Sequence, residues 1–121
     1  MQRWLFIAAL NGFIAVAAGA FAAHGLSARL DAPMLAVFET GARYQMYHAL
    51  ALGLTALFMQ NNASGKLTTA ATGFLTGIIL FSGSLYALAL TGVTALGIIT
   101  PLGGVAFLVG WAFLGWAALK R

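Results

Sequence analysis

Residues 67–119 read LTTAATGFLTGIILFSGSLYALALTGVTALGIITPLGGVAFLVGWAFLGWAAL, 53 positions without an Asp, Glu, Lys or Arg. As one α-helix this stretch would extend to about 80 Å, far beyond the roughly 30 Å hydrocarbon core of a bilayer. It has to fold back once. The corner falls at Thr91-Gly92-Val93-Thr94-Ala95-Leu96-Gly97, and Thr100-Pro101 then opens the next helix as cap and first turn. Two apolar spans follow, over residues 67–90 and 98–119. The polar/apolar alternation that a β-barrel strand needs is absent.

Working toward the N-terminus, Gln60-Asn61-Asn62-Ala63-Ser64-Gly65-Lys66 is a plain loop, and residues 42–59 form a third apolar run. Before it lies a polar stretch, Ser27 to Arg43, holding Arg29, Asp31, Glu39 and Arg43. Asp31 ahead of Ala32-Pro33 reads as an N-cap followed by a first-turn proline. Met34, Leu35, Val37 and Phe38 beside Glu39 and Arg43 suggest a short amphipathic interfacial segment between the first two helices. It either runs on into the next span or breaks at Thr40-Gly41. Residues 4–24 form the remaining run, uncharged between Arg3 and His24. Arg3 and the Ala20-Phe21-Ala22 triplet also resemble a signal peptide, but the run exceeds an h-region of about 7–15 residues, so a retained span is expected.

The expected fold is thus an all-α membrane protein, a single bundle of four transmembrane helices over residues 4–24, 42–59, 67–90 and 98–119. Composition agrees: 62% of the chain is hydrophobic and 7% charged, so a soluble fold would expose more apolar surface than water tolerates. Membrane lipid is the partner this demands. The absence of cysteine excludes disulfides and thiolate chemistry. A net charge of +4 comes from scattered cations, with no basic stripe to follow a nucleic-acid backbone. Arg3, Lys66, Lys120 and Arg121 lie on one side and Arg29 and Arg43 on the other, which places both termini in the cytoplasm. Trp4 and Trp116 fall near that inner surface, and Tyr44, Tyr47 and Tyr86 near the outer one.

Small residues recur at helical spacing: Gly12 and Gly19 on the first helix, Gly73 and Gly77 on the third, Gly103 and Gly110 on the fourth. Close backbone approach at such positions supplies packing energy in lipid. Ordinary packing within the chain is the expected use, with a homo-oligomer left open. Asn11 is expected to hydrogen-bond between helices.

The polar side chains gather at the outer end: His24, then Glu39, Arg43, Tyr44, Gln45 and His48, then Ser82, Ser84 and Tyr86, with Thr100 opening the fourth helix. Tyr44 and His48 share a face, as do Ser82 and Tyr86, and Glu39 with Arg43 has the favourable order for a helical ion pair. Facing lipid, an Arg or Asp at mid-helix costs roughly 2.5–3.5 kcal/mol, so these groups should turn inward. Two readings compete: a structural cap tying the helix ends together, or a pocket that binds or passes something. A metal held by both histidines and Glu39 lacks any supporting spacing, and haem ligation by His24 and His48 lacks a motif. No cofactor is called for.

Three stretches carry a family resemblance: Gly19-Ala20-Phe21-Ala22-Ala23-His24-Gly25-Leu26, Arg43-Tyr44-Gln45-Met46-Tyr47-His48-Ala49-Leu50-Ala51 and Phe81-Ser82-Gly83-Ser84-Leu85-Tyr86. With Thr100-Pro101-Leu102-Gly103-Gly104, they resemble the bacterial inner-membrane family called domain of unknown function 423, which looks related to the animal transmembrane protein 256. The resemblance covers essentially the whole chain. It implies a small multi-span protein of the cytoplasmic membrane and brings no activity with it.

Three functions are compatible with these residues. The first is a small integral inner-membrane protein whose outer pocket takes a solute, ion or lipid headgroup, with Arg43 meeting an anionic group. The second is a structural or accessory subunit packing beside a larger membrane complex. The third, an intramembrane enzyme, would have to pair Ser82 or Ser84 with His48 and has no third orienting group.

Overall fold

A computed structural model describes residues 2–62 and 64–119, and the regular elements among them are all helices. Helix α1 spans Gln2–His24 and is followed by a short 3₁₀ turn at Leu26–Ala28. Helix α2 spans Ala32–Met59, α3 spans Gly65–Thr91, and α4 spans Thr100–Leu119 after a 3₁₀ turn at Thr94–Ile98.

The local signals act where chemistry puts them. Asp31 caps α2, its carboxylate accepting from the Met34 N–H at 3.0 Å with the proline behind it in the first turn. Ser64 caps α3 by accepting from the Lys66 N–H at 3.2 Å. Gly92 ends α3 in the left-handed region, φ +75°, and its N–H returns to the Leu88 carbonyl at 2.8 Å.

Two features go beyond the sequence reading, which left open whether the segment before residue 42 joins the next span. The amphipathic segment is no separate element: α2 runs unbroken through Thr40-Gly41 for 28 residues. The reason is packing. At Gly41 α3 packs tightly on α2: a β-carbon there would meet the Tyr86 ring at 2.9 Å and the Ser82 carbonyl oxygen at 3.3 Å. Helix α3, in turn, is regular only over its ends. A π-turn at Ile78–Ser82 interrupts it.

Among the described residues three helical segments are long and apolar enough to cross a membrane: Gln2–Ala28, Gly65–Thr91 and Thr94–Leu119. Helix α2 has the length but carries Arg43, Gln45 and His48 in its midst, which lowers its hydropathy. Lys120 and Arg121, two of the cations that set the expected orientation, lie outside the described residues, as does Ala63 of the loop.

Helices α3 and α4 meet in an antiparallel seam of glycines. A β-carbon on Gly73 would stand 3.0 Å from the Ala106 carbonyl oxygen and the Gly110 nitrogen. One on Gly77 would strike the Phe107 ring, one on Gly103 the Phe81 backbone, and one on Gly110 the Phe74 ring. Gly12 and Gly19 correct the expectation for α1. No described residue of another helix lies within 4 Å of a β-carbon built on either, because α1 rests on α2 through Ala8, Ala15 and Ala22 instead. The central core is Ala8, Ala51, Leu52, Ala70, Ala71 and Phe74, and a second cluster at the other end joins Ala22, Leu26, Phe38 and Ala89.

Candidate functional site

The polar residues named from sequence separate into those that meet and those that do not. Tyr44, Gln45, His48, Ser82, Ser84 and Tyr86 turn toward the bundle interior, while His24, Glu39 and Arg43 are exposed. No ion pair joins Glu39 to Arg43 among the described residues. An exposed pair gains little and would immobilise two long side chains, so its absence has a simple cause.

Inside, hydrogen bonds of three kinds tie the helices: an amide relay, two serine bonds and a histidine–tryptophan bond. The first is a relay across α3, α2 and α1. Tyr86 Oη donates to Gln45 Oε1 at 2.7 Å, and Gln45 Nε2 donates to Asn11 Oδ1 at 3.0 Å. Asn11 Nδ2 closes it on the Ile7 carbonyl at 2.9 Å. Asn11 thus makes the interhelical bond expected of it. In the second tie, Ser82 Oγ donates to the Gly41 carbonyl at 2.7 Å, reaching α2 from the π-turn. Ser84 Oγ lies 2.6 Å from Thr100 Oγ1, which joins α3 to the start of α4.

The third tie centres on His48. Its Nδ1 sits 2.8 Å from the Tyr44 carbonyl, and Trp111 Nε1 donates to its Nε2 at 3.1 Å. A carbonyl can only accept and an indole N–H can only donate. The two neighbours therefore specify one neutral tautomer, with the proton on Nδ1 and the lone pair on Nε2. The ring also lies parallel to Phe107, centroids 3.5 Å apart and planes 7° off. Neither histidine nitrogen is left to activate a serine hydroxyl, and both serines are bonded elsewhere. His24, at the end of α1, is on the surface and apart from His48's partners.

Trp111 is the member that sequence reasoning missed. The available signal was its depth: ten residues inside Pro101 it lies away from both aromatic belts, so its N–H needs a protein acceptor. Beside this tie, α2 and α4 leave a groove of about 660 Å³ open to the surroundings, lined by Tyr44, Tyr47, Phe107, Leu108 and Trp111 among others.

Residues 18–104 match the family model described as protein of unknown function DUF423. The chain belongs to that family. Curated relatives cover almost its entire length. The chain is 46% identical over 122 residues to the UPF0382 membrane protein YwdK of Bacillus subtilis (strain 168), covering 99% of this chain and 98% of that one. It is 45% identical to a UPF0382 membrane protein of Haemophilus influenzae, covering 98% of this chain and 95% of the relative. With the UPF0382 inner membrane protein YgdD of Escherichia coli (strain K12) the identity is 44%, over 97% of this chain and 91% of the relative. No solved structure matches the chain.

Proposed function

We propose that the chain is an integral protein of the bacterial cytoplasmic membrane that crosses it four times with both termini inside, and that it acts as an accessory subunit. One observation carries the accessory role. Among the described residues, no buried side-chain nitrogen or oxygen lacks a hydrogen-bond partner. A carrier or an enzyme keeps groups available for its cargo, whereas here Asn11, Gln45, His48, Ser82, Ser84 and Tyr86 are engaged by one another or by backbone carbonyls and a tryptophan.

The fourth crossing rests on α2. Its 28 residues extend to about 42 Å, enough for the core plus an interface. Its polar residues Gln45 and His48 are buried against other helices rather than offered to lipid. The name of the Escherichia coli relative supports the inner membrane, and the cation count supports the orientation.

Gly73, Gly77, Gly103 and Gly110 are consumed within the chain. A partner subunit or a second copy would instead use the open small residues of α1, Gly12 and Gly19. Two experiments test the reading. Proteoliposomes of the purified chain should pass ions and common metabolites no faster than protein-free vesicles, and a flux abolished by His48→Ala would overturn it. A reporter fused after Arg121 should be active in the cytoplasm, and periplasmic activity would invert the topology.

The alternative is a pocket that engages a solute, ion or lipid at the same end of the bundle. The structure favours it at one place, the groove beside His48.

A further inference from the structure

We infer that the groove between α2 and α4 is a binding site for one anionic phospholipid of the leaflet facing the Arg43 end of the bundle. The inference needs the chain to lie in a bilayer and does not depend on the accessory role. Along α4 the groove runs from Pro101 to Trp111, ten residues and about 15 Å. That is the depth of one leaflet's hydrocarbon, half of roughly 30 Å. Its wall is apolar and aromatic apart from His48, whose two ring nitrogens are already bonded, and Val105, Phe107, Leu108 and Trp111 would face an acyl chain.

At the outer end the chemistry changes. Arg43 stands one helical turn before Tyr47 on the same face of α2, and Tyr47 lines the groove. Arg43 is exposed and takes part in no ion pair or side-chain hydrogen bond among the described residues. A guanidinium at the edge of a bilayer without a carboxylate is a fitting partner for a phosphate, which it grips in a bidentate fork. Tyr44 and Tyr47 stand below it with hydroxyls that no described residue engages, at the level of glycerol and ester oxygens. Charge above and a leaflet-deep apolar channel below select a lipid over a free anion.

Gly104 makes the test clean. It lines the groove, and a β-carbon there would meet nothing within 4 Å, so Gly104→Leu fills the channel without disturbing the fold. Full-length protein in detergent is given equal amounts of phosphatidylglycerol and phosphatidylcholine, and retained lipid is read by native mass spectrometry. Wild type should retain phosphatidylglycerol about fivefold over phosphatidylcholine, the selectivity one interfacial arginine supplies. Arg43→Gln should bring the two lipids to parity, and Gly104→Leu should lose both. Inorganic phosphate in excess should not displace the bound lipid. Equal retention of both lipids by wild type, no retention at all, unchanged selectivity in Arg43→Gln, full retention by folded Gly104→Leu, or displacement by phosphate would each overturn the proposal. Should Gly104→Leu fail to fold, Arg43→Gln decides alone, because the Arg43 side chain bonds to no other described residue.

Discussion

The pair α1–α2 and the pair α3–α4 pack along similar lengths with opposite means. Between α3 and α4 the glycines are filled from across the seam: Phe107 over Gly77, Phe74 over Gly110, the Phe81 backbone over Gly103. Between α1 and α2 the contact is made by Ala8, Ala15 and Ala22 and by the Asn11–Gln45 bond, while Gly12 and Gly19 face open space. Helical glycine spacing is present on both sides. It permits close approach, and only an aromatic ring or a backbone on the opposite helix uses that permission.

The comparison breaks most visibly at Gly103. Gly103→Leu forces a side chain into the Phe81 backbone, which cannot swing aside, and should destabilise the protein by about 3 kcal/mol or more in reversible unfolding in detergent. Gly12→Ala in the same assay should stay within about 0.5 kcal/mol of wild type. Equal losses at the two positions would mean that the α1 glycines are filled after all.

Next in size is the polar tie. Gln45→Leu removes a donor and an acceptor at once and leaves Asn11 and the Tyr86 hydroxyl unmatched, for an expected loss of about 2 kcal/mol. If α1 is held by alanine packing alone, that loss will not appear. Trp111→Phe keeps the ring but removes the N–H, and about 1 kcal/mol should go with it, since interhelical bonds in membranes are modest. The ¹⁵N resonance of His48 Nε2 should move in that variant and stay put in His24→Gln. Smallest of all, Glu39→Gln should change unfolding by less than about 0.5 kcal/mol, as suits an exposed side chain without a partner among the described residues.

Much of this was legible because it is local. Asp31 with Pro33 marks a helix start, Gly92 a helix end, and the uncharged run from Leu67 to Leu119 one reversal. The two helix ends rest on residues within a turn of one another, and the reversal on an unbroken run of neighbours along the chain. The gathering of Gln45, Ser82, Ser84 and Tyr86 was legible for another reason: hydrocarbon forces polar groups inward, and folding the chain into rods puts them at one end.

What sequence left open depends on facing. Whether α2 breaks at Gly41 is decided by Tyr86, far along the chain. Whether His48 is a free base or a bonded one is decided by Trp111, 63 positions away. Glu39 and Arg43 had the right spacing for an ion pair, but exposure removed the incentive to form it.

The π-turn at Ile78–Ser82 sets a phase. Its wider loop holds one spare residue, which offsets the drift that builds up when contacts repeat every four positions on a helix of 3.6. Gly73, Gly77 and Phe81 can therefore stay against α4 while Ser82 and Tyr86 reach α2. Rewinding this turn as regular α-helix with its residue count unchanged would rotate everything beyond it by about 100°. Tyr86 would leave Gln45 and Ser84 would leave Thr100, so the wider winding of this five-residue segment is a constraint as strict as the identity of any side chain in it.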